Sequence, residues 1–253
     1  MRAIPAGASR GGPAPSLRIE NATKCFGGLR VFEDFSFEVP AGGVLGVIGP
    51  NGAGKTTLIN VICGMLSLSS GRILLGERDI SSKPFHVVSR LGVARSFQQT
   101  NTYSRVSVEE NLYRAQRFGA ANKGPDLGIT GLLEEFGLSS HLHEQSDKLP
   151  YGLQKMLGLV MVLATRPRIL LLDEPAAGLE RRERTQIDRF LEHARATIGC
   201  SVLIVEHDMD LVRRLCPRIL VLDAGRLLAE GAPAEVLARQ DVIDAYLGAS
   251  EDA

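Results

Sequence analysis

The sharpest chemical signal is the run Gly49-Pro50-Asn51-Gly52-Ala53-Gly54-Lys55-Thr56-Thr57. It fits the phosphate-binding pattern G-x-x-x-x-G-K-[ST] at every fixed position. Glycines let successive backbone N–H groups converge on phosphate oxygens. A helix starting there adds its unpaired N–H groups and the positive end of its dipole. Lys55 is placed to reach β- and γ-phosphates, and the Thr56 hydroxyl to ligate Mg²⁺. An ordinary glycine turn with a solvated lysine requires neither the full pattern nor a strand before it and a helix after it.

A second acidic group agrees with the first. Asp173 closes the apolar run 169–172, and Glu174 and Pro175 follow at once. A carboxylate at the C-terminal end of a buried strand suits Mg²⁺ held through water. The carboxylate beside it can polarise an attacking water. A lone Asp-Glu pair is ordinarily a solvated loop. The strand before it, Pro175 after it and the separate phosphate loop reverse that reading. Together the two groups point to hydrolysis of ATP or GTP. A GTPase switch would need a base-reading N-K-x-D element, and none is found.

These residues need elements to hold them. Val44–Ile48 reads as a short buried strand feeding the glycine turn, and 56–65 as the helix that follows. Residues 35–39 alternate apolar and polar, the period of a half-buried strand, and Pro40 with Gly42-Gly43 ends it. The runs 169–172, 202–205 and 219–222 are continuously apolar, as expected of parallel strands covered on both faces. Helical stretches such as 181–197 lie between them. Strands alternating with helices imply an α/β fold with a largely parallel sheet. The middle, 84–149, reads as helical, with 108–117 and 131–136 as helices and 120–126 as a loop.

Composition sets the bounds. The chain has 253 residues, 44% hydrophobic and 23% charged, enough for a packed core. Lys plus Arg number 29 and Asp plus Glu also 29, so no global positive field exists to gather nucleic acid. Arg181-Arg182-Glu183-Arg184 reads as an exposed helix start rather than a nucleic-acid patch. The longest apolar stretch, 156–164, is far short of the roughly 18 residues that a membrane span needs. Any membrane role therefore comes through a partner. Cys25, Cys63, Cys200 and Cys216 form no C-x-x-C pair and read as reduced thiols. His141 and His143 lack further ligands at suitable spacing and read as a solvated loop.

The remaining motifs resemble the nucleotide-binding subunits of ATP-binding-cassette (ABC) transporters, from Leu17 onward and with all landmarks in order. Phe26, in Lys24-Cys25-Phe26-Gly27-Gly28, matches the aromatic that stacks on adenine. Gln98, in Ser96-Phe97-Gln98-Gln99, matches the glutamine that contacts Mg²⁺ and couples to the membrane subunit. Leu149-Pro150-Tyr151-Gly152-Leu153-Gln154 falls where the signature L-S-G-G-Q is expected. Ala177-Gly178-Leu179-Glu180 matches the D-loop, and His207, after the strand 202–205, matches the switch histidine. Two departures stand out. In the signature, Pro150 replaces Ser, Tyr151 the first Gly and Leu153 Gln, so the family's serine–phosphate contact does not carry over. In the D-loop, Glu180 replaces Asp.

The resemblance implies a P-loop NTPase core with a mostly parallel sheet, an antiparallel β subdomain and a helical subdomain inserted at about 84–160. It implies one ABC ATPase domain over 17–253, while 1–16, rich in Ala, Gly and Pro, reads as a flexible tail. It implies ATP and Mg²⁺, with Gly49 to Thr57, Phe26, Tyr151 and Gly152 on nucleotide. Thr56, Gln98 and Asp173 would serve the metal, and Glu174, His207 and Gln98 catalysis. It also implies a second ATP-binding subunit, identical or homologous, and permease subunits docked near Gln98 at the cytoplasmic face of the membrane. A solute-binding protein would act indirectly, and nucleic acid has no part. Tyr151-Gly152-x-Gln154, Glu174 to Leu179, Val205 to Met209 and the ending 241–248 resemble ATPases of branched-chain amino acid importers. Urea importers and lipopolysaccharide exporters have similar endings. Soluble ABC ATPases for DNA repair or translation carry tandem cassettes, coiled-coil insertions or basic extensions, which this chain lacks.

The degenerate signature leads to one specific expectation. Pro150 has no N–H to donate but suits the first turn of a helix. A helix from about Tyr151 through Ala164 would then aim its free N–H groups, those of Gly152 and Leu153, at the partner's ATP. Gly152 is expected to present bare backbone there.

Overall fold

The computed structural model describes residues 16–96, 102–119 and 127–248. The segment 1–15, the loop 120–126 and Gln98 lie outside the described residues. In chain order the strands and α-helices begin with β1 (Leu17–Phe26), β2 (Leu29–Val39), β3 (Val44–Ile48), α1 (Lys55–Ile62), β4 (Ser70–Leu75), β5 (Arg78–Asp79), α2 (Phe85–Arg90) and β6 (Val93–Ser96). There follow α3 (Val108–Gly119), α4 (Ile129–Glu135), α5 (Tyr151–Ala164), β7 (Ile169–Asp173), α6 (Arg181–His193), β8 (Ser201–Val205) and α7 (Met209–Leu215). The chain continues through β9 (Arg218–Asp223), β10 (Arg226–Gly231), α8 (Pro233–Val236) and α9 (Gln240–Gly248).

Two sheets form. One is antiparallel, in the order β2-β1-β4-β5. The other runs β10-β9-β3-β8-β7-β6, parallel from β9 to β6, with β10 antiparallel at one edge. Both have a direct cause in the residue pattern. In β2, Phe35, Phe37 and Val39 are buried while Ser36 and Glu38 are exposed, so one face of that sheet is covered. In β7, Leu170 and Leu172 pack into one hydrophobic cluster and Ile169 and Leu171 into the other. β8 divides the same way, with Val202 and Ile204 on one side and Leu203 and Val205 on the other. An unbroken apolar run is what a strand buried on both faces requires. One cluster joins the antiparallel sheet and α1 to the parallel sheet through Phe32, Phe35, Leu58 and Ile59. The other joins the helices α4 to α6 to its opposite face through Phe136, Met156, Leu157 and Phe190.

Two elements differ from the sequence expectation. The helix expected over 56–65 ends at Ile62, and Gly64 turns away with φ +72°, where an added Cβ would stand 2.3 Å from the Lys83 carbonyl oxygen. Inside the stretch 84–160, β6 is a strand of the parallel sheet, paired with β7. Val93-Ala94-Arg95-Ser96 is too short and too polar to announce itself. The helices α3 to α5 follow it, between two neighbouring strands.

Candidate active site

The phosphate loop leaves the C-terminal end of β3, which lies between β8 and β9 in the sheet. Backbone geometry explains two of its glycines. Gly49 has φ +152°, and a Cβ there would lie 2.1 Å from the Leu222 carbonyl oxygen on β9. Gly54, at φ +97°, precedes the first residue of α1, where no side chain caps the helix. No side chain caps the N–H groups of that first turn, the arrangement by which helix N-termini bind anions. Lys55 is buried, and its Nζ donates to the Gly49 and Pro50 carbonyl oxygens at 2.7 and 2.8 Å. Burial lowers the ammonium pKa, and Glu174 and Asp173 oppose that shift. The same two carboxylates found by sequence thus act on the phosphate-loop lysine. Thr56 is exposed in the first turn of α1.

β7 carries Asp173 to its C-terminal end, where the carboxylate is 3% exposed. Arg95 Nη2 on β6 donates to Asp173 Oδ2 at 2.6 Å. Glu174 has φ +47°, a left-handed conformation that is uncommon for a side-chain-bearing residue. Its N–H donates to the Val205 carbonyl oxygen at 2.9 Å, which ties it to the end of β8. His207 Nδ1 stands 3.8 Å from Glu174 Oε1, with the imidazole 62% exposed. Behind them Glu206 is fully buried. Its Oε1 accepts the Ala176 N–H at 2.9 Å, and its Oε2 accepts the N–H groups of His207 and Asp208 at 3.1 and 3.3 Å. Burial raises the Glu206 pKa, and those three N–H donors offset only part of the rise. Lys155 of α5, also buried, sends Nζ to the carbonyl oxygens of Glu174 and Ala177, each at 3.1 Å.

The segment 149–154 makes the start of α5. The helix runs Tyr151–Ala164, with Pro150 as the residue before it rather than inside its first turn. Gly152 is the second residue of that helix. It is buried, and a Cβ there would meet Glu183 Oε1 at 1.9 Å. Glu183 is held in place because it forms a capping box with Glu180 at the start of α6, accepting the Glu180 N–H at 2.9 Å. Tyr151 rests on the turn 177–178: its hydroxyl donates to the Ala177 carbonyl oxygen at 3.4 Å, and a Cβ at Gly178 would meet its ring at 2.7 Å. Phe26 closes β1 with its ring 45% exposed and Lys24 Nζ 4.4 Å from the ring centroid.

Residues 32–177 match the family described as ABC transporter, and 226–252 match one described as branched-chain amino acid ATP-binding cassette transporter. The chain belongs to the ABC transporter ATP-binding family. The high-affinity branched-chain amino acid transport ATP-binding protein LivG of Salmonella typhimurium is 37% identical over 251 residues, covering 92% of this chain and 98% of LivG. The lipopolysaccharide export system ATP-binding protein LptB of Escherichia coli K12 is 33% identical over 243 residues, covering 92% and 97%. Among solved structures, the ADP conformation of MJ1267, an ATP-binding cassette of an ABC transporter, superposes with a TM-score of 0.80 at 28% identity, covering 92% and 99%. The protein is thus a nucleotide-binding, ATP-hydrolysing subunit of an ABC transporter. Its sheets and helices are those of the ABC ATPase fold.

Within this ABC ATPase, four buried or capping residues escaped the sequence reading: Arg95, Lys155, Glu183 and Glu206. Each had a signal. Arg95 follows the apolar pair Val93-Ala94, and Lys155 interrupts the apolar helix α5. Glu206 adjoins a fully buried strand, where an unpaired carboxylate would be costly. Glu183 stands three residues after Glu180, the spacing of a capping box.

Proposed function

We propose that two of these chains, or this chain and a homologue, close head to tail over two ATP molecules and drive a membrane permease. The observation that carries this reading is the convergence of Lys55, Asp173, Glu174 and His207 at one end of the parallel sheet, with His207 Nδ1 3.8 Å from Glu174 Oε1. The phosphate loop, Gly49 to Thr57, would cradle the phosphates, and Phe26 would stack on adenine. Glu174 would accept the proton of the attacking water, and His207 would steady the γ-phosphate. The oxygen donors Thr56, buried Asp173 and Gln98 fit Mg²⁺, a hard cation that keeps most of its waters. Bound there, Mg²⁺ would neutralise charge on the β- and γ-phosphates. Tyr151 and Gly152 would face the partner's nucleotide, and the helical stretch within 84–160 would form the subdomain that moves as the dimer closes.

We propose branched-chain amino acids as the cargo class, supported by the 226–252 match and by the likeness to LivG. Import would then require permease subunits at the cytoplasmic face of the membrane and a solute-binding protein outside. Lipopolysaccharide export, suggested by LptB, is the second reading. The test is to purify the chain with its bound permease and reconstitute the complex in proteoliposomes. ATP-driven uptake of labelled leucine or valine with a cognate binding protein is the expected result. ATPase activity that ignores these amino acids and responds to lipopolysaccharide would overturn the cargo. Failure to copurify any membrane subunit would overturn the transport role of this chain's permease contacts.

A further inference from the structure

Glu174 sits in a conformation that its own residue type disfavours. A left-handed backbone at a residue with a side chain costs about 1–2 kcal/mol and persists only where the surroundings fix it. Here the surroundings come from two separate parts of the chain, the helix α5 and the end of β8. Val205 accepts the Glu174 N–H at 2.9 Å. Lys155 donates to the Glu174 and Ala177 carbonyl oxygens, each at 3.1 Å. Glu206 accepts the Ala176 N–H at 2.9 Å. The turn 174–177 is thus gripped on its carbonyls by a cation and on an N–H by an anion.

We propose that Lys155 and Glu206 are positioning residues that clamp the turn 174–177 and so hold Glu174 where it can act as base, with Lys155 tying that base to the helix α5. The proposal rests on the reading of Glu174 as the general base. The physical case has two parts. Burying an ammonium and a carboxylate is expensive unless both are satisfied by hydrogen bonds. Both are buried, and the bonds that hold them run to the backbone flanking Glu174 and to the N–H of His207. The other part is mechanical. Lys155 lies one helical turn from Gly152, at the end of α5 proposed to face the partner's ATP. A shift of α5 therefore reaches the carbonyl of Glu174 directly through the Lys155 side chain. Neither residue need touch nucleotide to set the rate.

Lys155→Met keeps the apolar stem and removes the donor. In the assembled transporter it is expected to lower kcat about 10- to 100-fold, the effect of misplacing a catalytic group by roughly 1 Å. KM for ATP and the ATP affinity of the isolated subunit should stay within about threefold. Lys155→Arg, which keeps charge and donors, should recover most of kcat. Where Lys155→Met does not fold, Lys155→Gln replaces it, with kcat expected between those of wild type and Glu174→Gln and with ATP affinity retained. Normal kcat in the Met or Gln variant, a parallel loss of kcat and ATP affinity, or an Arg variant no better than Met would each overturn the clamp. Glu174→Gln is measured alongside. If it turns over normally, the general-base reading itself fails. If it is inactive while Lys155→Met is normal, only the clamp fails.

Discussion

Arg95 Nη2 lies 2.6 Å from Asp173 Oδ2, a contact between neighbouring strands β6 and β7 in which both side chains are less than a tenth exposed. The same guanidinium donates through Nη1 to Asn60 Oδ1 on α1. One arginine therefore joins the strand before Gln98, the strand bearing Asp173 and the helix after the phosphate loop. Removing one partner of a buried pair leaves the other charge uncompensated, at a cost of about 3–5 kcal/mol. Arg95→Ala should be destabilised by that amount in urea unfolding. A loss below about 1 kcal/mol would mean that water already reaches Asp173.

Glu174→Gln preserves shape and hydrogen bonding while removing the proton acceptor. ATP binding should persist and turnover fall about 10²- to 10⁴-fold, the usual contribution of a general base. The carboxamide should also accumulate an ATP-bound dimer, visible by size-exclusion chromatography. Turnover near the wild-type rate would remove Glu174 from the chemistry.

Gly152 has two possible reasons to be glycine, and they can be separated. Within this chain its Cα face leaves room for Glu183 Oε1, which a Cβ would meet at 1.9 Å. In the dimer its backbone is proposed to meet the partner's γ-phosphate. Gly152→Ala should displace the Glu183 tip and weaken the capping box, a loss of about 0.5–2 kcal/mol. Adding Glu183→Ala removes the clash. The double variant should remain poor at ATP hydrolysis, as a blocked phosphate approach demands. Full recovery would show that room for Glu183 is all the glycine provides.

Asp208 sets a pH dependence whose sign follows from its contacts. Its Oδ1 accepts the Asp210 and Leu211 N–H groups, each at 3.1 Å, and its Oδ2 pairs with Arg184. Burial pushes its pKa up, but the Leu211 N–H, Arg184 and the Asp210 N–H outweigh this and leave it below the ordinary 3.8. A depressed carboxyl stabilises the fold fully above the unfolded value and loses that contribution as pH falls through the folded one. Asp208→Asn should therefore have a lower Tm than wild type at pH 7, and the gap should narrow below about pH 3.8. A gap that is constant across that range would assign the effect to packing instead.

Much of this was legible in the residues, for a reason visible in β7 and β8. Strands buried on both faces must be apolar throughout, and the phosphate loop must follow one of them, so periodicity and motif pointed to the same place. Position in the site was harder to read. Lys155 stands out as a cation in an apolar helix, but the sequence does not show the turn that it grips. Nothing in the sequence says that Glu183, thirty-one residues on, lies against Gly152. Contacts between segments far apart in the chain have no local signature. Composition alone still reached the thiols. Cys63, Cys200 and Cys216 are buried, and burial pushes them up to about 12, 11 and 12. Native protein should accordingly expose only Cys25 to a maleimide at neutral pH, and denatured protein all four cysteines. Rapid labelling of more than one in the native state would contradict that burial.

The place of β3 in the sheet has a consequence for how the protein is made. The phosphate loop is attached to a strand whose two neighbours, β8 and β9, are encoded far downstream, at Ser201–Val205 and Arg218–Asp223. Gly49 itself is seated against Leu222 on the later of the two. A nascent chain exposes the complete motif early, yet for roughly 8–33 s of further synthesis, at about 5–20 residues per second, it has no sheet to hold it. Cellular ATP, which stabilises only a chain that can already bind it, is therefore no help to the growing polypeptide. Ligand-assisted folding begins only once translation has passed β9.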